Sequence, residues 1–125
     1  MTNNTNKQID IHERIYSFIL RVLKLLASLP KTSINIIIVD QCGRSVTSVG
    51  ANDQEADACE SKNDFIAKYT IVKKETKETN FWLRLTGDVN PDLKERITDL
   101  QKEGKEILLI VSTIIKNSKN KKKNL

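Results

Sequence analysis

Cys42 and Ser45 stand one helical turn apart, and either would need a neighbouring base to take its proton before acting as a nucleophile. No base stands at a readable spacing. His12 is the single histidine, which rules out a histidine metal cluster and any relay through a second imidazole, and with two distant cysteines it makes no zinc set. Glu75 and Glu78 share one side of a helix and could move protons, but exposed carboxylate pairs of this kind ordinarily serve solubility. Neither enzymatic activity nor a cofactor is expected.

Binding through charge is better represented. Lys68, Lys73, Lys74, Lys77 and Arg84 make one segment basic, and Lys116, Lys119, Lys121, Lys122 and Lys123 crowd the C-terminus with no acid among them. Such rows can track a phosphate backbone in RNA or DNA. Glu75 and Glu78 interleave the first group, so a solvated face explains it equally well; the tail is the better candidate. Arg44 could grip a phosphate with both guanidinium arms. An ion pair inside a helix interface, with Glu55 or an acid on a neighbour, is the preferred reading. Gln41, Ser48 and Asn52 share its side and suggest a polar network. Phe81 and Trp82 could stack on bases, although a core or interface role is preferred for both.

The elements that must position these groups fit one domain, since 125 residues suffice for a single core and not for two. The net charge of +5 equals the five lysines from Lys116 onward, so the body is close to neutral. No apolar run approaches the roughly 20 residues of a membrane span. The polar start, Met1 to Gln8, lacks the features of a signal peptide, so a cytoplasmic protein with no membrane partner is expected. Cys42 and Cys59, if on one helix, are about 25 Å apart by helical rise and cannot bridge; reduced, buried thiols are expected.

Apolar spacing at three and four residues predicts four helices after a frayed stretch over residues 1–9. The first runs over about 11–29, carrying Ile15, Phe18, Val22 and Leu25, and Pro30 stops it. The second runs over about 34–60 with Thr32 or Ser33 as its cap. Ser61 to Asp64 reads as a capping box for a third helix over about 62–86, which Gly87 would end in a left-handed conformation. Asn90-Pro91 then opens a fourth over about 91–115, and residues 116–125 form a basic tail, disordered or a helical extension in water. Short connections between amphipathic helices make this an all-α, antiparallel up-down four-helix bundle.

The second helix carries three faces. Ile38, Cys42, Val46, Val49 and Ala56 form an apolar one; Gly43, Thr47 and Gly50 a small one; Gln41, Ser48, Asn52 and Glu55 a polar one. Because each interior glycine costs about 1 kcal/mol relative to alanine, Gly43 and Gly50 suggest a close crossing at an interface beyond the bundle.

Leu29-Pro30-Lys31-Thr32, Gln41, Arg44-Ser45, Ser48-Val49-Gly50-Ala51-Asn52, Glu55-Ala56, Ser61-Lys62, Asp64-Phe65, Lys68, Lys74-Glu75, Glu78 and Trp82-Leu83 occur in an order and spacing that resemble a bacterial four-helix-bundle family. Its founding members are encoded in intervening sequences of large-subunit ribosomal RNA genes. The resemblance is collinear over roughly residues 11–118 and implies an up-down bundle, a ring-like homopentamer and nucleic-acid binding, with no enzymatic activity. More distantly, the chain is similar to accessory proteins of diversity-generating retroelements, which implies a reverse transcriptase and its nucleic acid as partners. A protein-interaction scaffold without nucleic-acid contact is the alternative. The chain departs from the family pattern at Cys42-Gly43 and at Asp53, which bears on the packing of the second helix.

Overall fold

In a computed structural model, which describes residues 10–123, the chain forms four α-helices: α1 Ile11–Ala27, α2 Ser33–Asp57, α3 Lys62–Val89 and α4 Lys94–Lys123, with a 3-10 turn Pro91–Leu93 before the last. Each helix packs on its neighbours in sequence, and α1 also packs on α4, which closes an up-down bundle. Ile15, Phe18, Val22 and Leu25 from α1 meet Ile38, Cys42, Val46 and Val49 from α2, Tyr69, Val72 and Leu83 from α3, and Ile97, Leu100, Ile107 and Val111 from α4 in one core. No described helix is long and apolar enough to cross a membrane.

The helix ends follow local chemistry. Asp10 caps α1 by accepting from the His12 amide, Thr32 caps α2 by accepting from Asn35, and Ser61 caps α3 by accepting from Asp64. α1 stops at Ala27, two residues short of expectation, because the Ser28 hydroxyl and amide both turn onto the Leu25 carbonyl ahead of Pro30. At the same end of the bundle, Asn35 and Asn90 exchange two carboxamide hydrogen bonds of 3.0 Å in a buried setting. Asn35 also donates to the Pro30 carbonyl at 2.9 Å, so the α1–α2 and α3–α4 turns are tied together.

Three expectations about boundaries and glycines change. Gly87 does not end α3; no described glycine has a positive φ, and the helix continues to Val89 before Pro91 halts it. A Cβ on Gly87 would stand 3.4 Å from Ile97, so this glycine serves the approach of α3 to α4 instead. Gly50 faces α1 within the chain, where a Cβ would lie 2.7 Å from the Ile19 Cδ1, whereas Gly43 meets nothing within 4 Å. Gly50 thus serves the α1–α2 crossing inside the bundle, and Gly43 opens outward. α2 ends at Asp57, which leaves Cys59 half-buried in the turn, and α4 runs through the basic segment to Lys123. Residues 1–9, expected to fray, lie outside the described residues.

Candidate nucleic-acid interface

Along α3, residues advance by about 100°, and Asn80 and Gly87 face α4 while Thr79 faces α2. On that wheel Lys73, Lys77 and Arg84 fall within about 40° of one another, on the outer flank beside α4. Phe81 stands next to them, four residues after Lys77 and three before Arg84, spacings that make side chains neighbours on a helix surface. Glu75 and Glu78 lie about 100° or more away from Lys77 around the helix, toward α2. These acids thus stand apart from Lys73, Lys77 and Arg84, whereas Lys74 has Glu78 one turn along. Lys74 is exposed on the outermost line of α3.

α4 sorts its charges in the same manner. Its acids turn to α1: Arg14 donates to Glu103 at 2.7 Å and to Glu106 at 2.9 Å, and Arg21 approaches Asp99 at 3.8 Å. The two carboxylates hold Arg14 above its ordinary pKa by hydrogen bonding. Lys105, Lys116 and Lys119 fall within about 60° of each other on the flank toward α3. The packing of Asn80 on Gly104 and of Gly87 on Ile97 sets the antiparallel register and brings Lys105 level with the Lys77–Phe81 turn. Among the described residues, Lys73, Lys74, Lys77, Arg84, Lys105, Lys116, Lys119 and Lys121 form no ion pair. A cationic strip about 30 Å long, from the level of Arg84 to that of Lys119, is the result by helical rise. The side chains of Lys122 and Lys123 lie outside the described part.

Other candidates from the sequence are placed differently. Lys68 is taken by Glu55 at 2.6 Å on the α2 side. Glu55 is therefore not the partner of Arg44, which pairs with Asp40 at 3.3 Å and is 76% exposed. Asn52 donates to the Ser48 carbonyl at 2.9 Å and approaches the Ser48 hydroxyl at 3.2 Å. Gln41 is half-buried. The polar side of α2 is thus a set of local pairs, with no network joining Gln41, Arg44, Ser48, Asn52 and Glu55. Trp82 is half-buried and packs on the core, while Phe81 is 55% exposed.

The nucleophile candidates are structural. Burial pushes the Cys42 thiol up to about 12, with the Glu78 charge adding to it, so it stays protonated. Ser45 is buried, donates to the Cys42 carbonyl at 3.0 Å and shares a 2.9 Å hydrogen bond with the Thr79 hydroxyl, joining α2 to α3.

A polar cluster escaped sequence reasoning altogether. Asp53 is 1% exposed; His12 Nδ1 lies 2.9 Å from each of its oxygens, and the Tyr69 hydroxyl donates to Oδ1 at 2.7 Å. His12 Nε2 lies 3.6 Å from Asp57. The Asp53 hydrogen bond raises the His12 pKa, opposed in part by burial. Burial, then the Asp53 bond, raises that of Tyr69. The signal was present: an aspartate four residues after Val49 and three before Ala56 occupies a core position of α2 and requires partners. Two helices, α1 and α3, supply them. Among the described residues, no group of three or more histidine, cysteine, aspartate or glutamate side chains could hold a metal ion.

Comparison with known proteins agrees with this architecture. No curated protein matches the chain. A solved structure from Bacteroides thetaiotaomicron VPI-5482, described as a protein with unknown function from the S23 ribosomal protein family, is 30% identical. It superposes with a TM-score of 0.78 over 93% of this chain and 99% of its own. The family model described as 23S rRNA-intervening sequence protein matches residues 7–113, and the chain belongs to that family.

Proposed function

We propose that this chain is a non-enzymatic, self-associating accessory protein that binds nucleic acid through the α3–α4 face. One observation carries the reading: Asp40, Glu55, Asp99, Glu103 and Glu106 are paired within the bundle, while Lys73, Lys77, Arg84 and Lys105 share one outer face outside any ion pair. The exposed Lys116 and Lys119 extend that face. Unpaired cations at this spacing release counterions from a phosphate backbone, which gives binding without base specificity.

Binding of an RNA oligonucleotide, measured across a salt series, tests it. Replacing Lys73, Lys77 and Arg84 together by glutamine should weaken binding and flatten the dependence of log K on log salt by about 0.7 per lost contact for a single strand. Deleting residues 116–125 should act in the same direction. Absence of binding by the full chain at low salt would sink the proposal.

A protein scaffold is the second reading, favoured by a different surface. Leu26, Leu29, Ile36 and Val39 line an apolar cleft of about 530 Å³ between the end of α1 and the start of α2. That surface suits a second copy of the chain, in the ring-like homopentamer that the family resemblance implies, and it leaves the α3–α4 face open.

A further inference from the structure

We infer that the α3–α4 face takes unpaired nucleic acid in preference to duplex, with a base stacked on Phe81 while the cations of α3 and α4 hold the flanking phosphates. The inference rests on the nucleic-acid reading above and names the form of ligand for that surface.

Phe81 is the anomaly on this face. Cations alone would suffice for a duplex, whose base faces are hidden in its own stack and whose outer surface is phosphate and sugar. A phenyl ring left 55% exposed among lysines has no use there. It projects from the flank of α3 away from the core, with Lys77, Glu78 and Arg84 as helical neighbours and Leu85, 37% exposed, one turn on; Glu78 is engaged by the Trp82 indole. Phe81, Arg84, Leu85 and Asp88 line a shallow cleft of about 230 Å³. The carboxylate in that set is already occupied, since Lys94 donates to Asp88 at 2.8 Å, so it repels a phosphate less than a free acid would.

The ring is also braced. Trp82 meets Phe81 edge-on, with centroids 5.0 Å apart and planes at 73°, and the Trp82 indole is itself fixed by donating to Glu78 at 3.1 Å. An aromatic platform between cations is the arrangement that single-stranded nucleic-acid binders use, because every base offers a π-face. The complementary charge speaks against an apolar protein helix as occupant, which would have to bury Lys77 and Arg84 without partners.

The test uses the full chain with a fluorescent oligo-uridylate of about twenty nucleotides and a blunt RNA duplex of equal length, both at low salt. The single strand should bind more tightly and quench the emission of Trp82, the only tryptophan in the sequence. Phe81→Ala should weaken single-strand binding by roughly ten- to a hundred-fold and leave duplex binding unchanged, and Phe81→Trp should restore it. Equal affinity for both ligands, unmoved by Phe81→Ala, overturns the stacking inference and leaves the electrostatic reading standing. Failure of both ligands to bind removes the reading beneath it. A Phe81→Ala variant that changes the native mass and not the binding would make the ring an assembly contact, and that too overturns the inference.

Discussion

Asp53 is a carboxylate that water scarcely reaches, and its two oxygens are held by an imidazole from α1 and a phenol from α3. A buried charge of this kind persists only while its hydrogen bonds are intact. The acids facing His12 are Asp53, Asp57 and Asp10, and all three favour the imidazolium. Because the folded pKa of His12 lies above the ordinary 6.5, its contribution is complete below about 6.5 and is lost as pH rises through the folded value. His12→Gln should therefore lower the melting temperature most in mildly acidic buffer, with the gap to the parent chain narrowing as pH rises through the folded value. A gap of constant size would mean that the imidazole acts only by packing. His12 looked idle in the sequence because no second histidine exists, and its partner sits 41 positions away. Composition shows which ionisable groups exist, but only the crossing of three helices shows which of them share a proton.

Among the elements, α2 was the most legible. Its apolar line Ile38, Cys42, Val46, Val49 and Ala56 is buried throughout, and periodicity alone picks it out. Glycines were the least legible, since the same residue can end a helix, admit a neighbour or do neither. Gly87 before Asn90-Pro91 carries every mark of a helix stop and is instead a packing notch for Ile97. Gly104 is a second notch: a Cβ there would fall on the Asn80 carboxamide. Asn80 Oδ1, a buried oxygen with no conventional partner, faces that backbone, a setting suited to a Cα–H contact. Gly104→Ala and Gly43→Ala make the same chemical change with opposite expected signs. The first should destabilise by about 1–3 kcal/mol as Asn80 is displaced, despite alanine's better helix propensity. The second should stabilise by up to about 1 kcal/mol, since a methyl there meets nothing within 4 Å. Urea unfolding of both variants measures the difference, and equal signs would refute the assignment of Gly104 as a notch.

At the scale of the whole molecule, two faces are left for other things to cover. One is cationic, on α3 and α4. The other is apolar: Tyr16, Leu20 and Leu23 recur at steps of four and three on the outside of α1, and Ile36 and Val39 add to it at the start of α2; all five are exposed. Exposed apolar lines of this length on a small bundle ordinarily meet another protein. Native mass measurement should find an assembly, and Leu20→Glu or Ile36→Glu should shift it toward the monomer with the helical signal unchanged. A parent chain that stays monomeric at micromolar concentration would contradict the assembly. The bundle itself was legible because four amphipathic stripes joined by short turns admit few arrangements. Its surfaces were not, because outward side chains follow no periodic rule: the basic segment reads as interleaved with acids along the chain, and only the wheel positions and the α1–α4 ion pairs separate them.

The reciprocal amides of Asn35 and Asn90 bind two turns that are 55 positions apart in sequence. Neither turn can then open alone without leaving buried donors and acceptors unpaired, at about 1–3 kcal/mol for each group. That end of the bundle fluctuates as a single cooperative unit. Amide protons from the two turns would exchange with solvent together, on one timescale, as if they belonged to one loop.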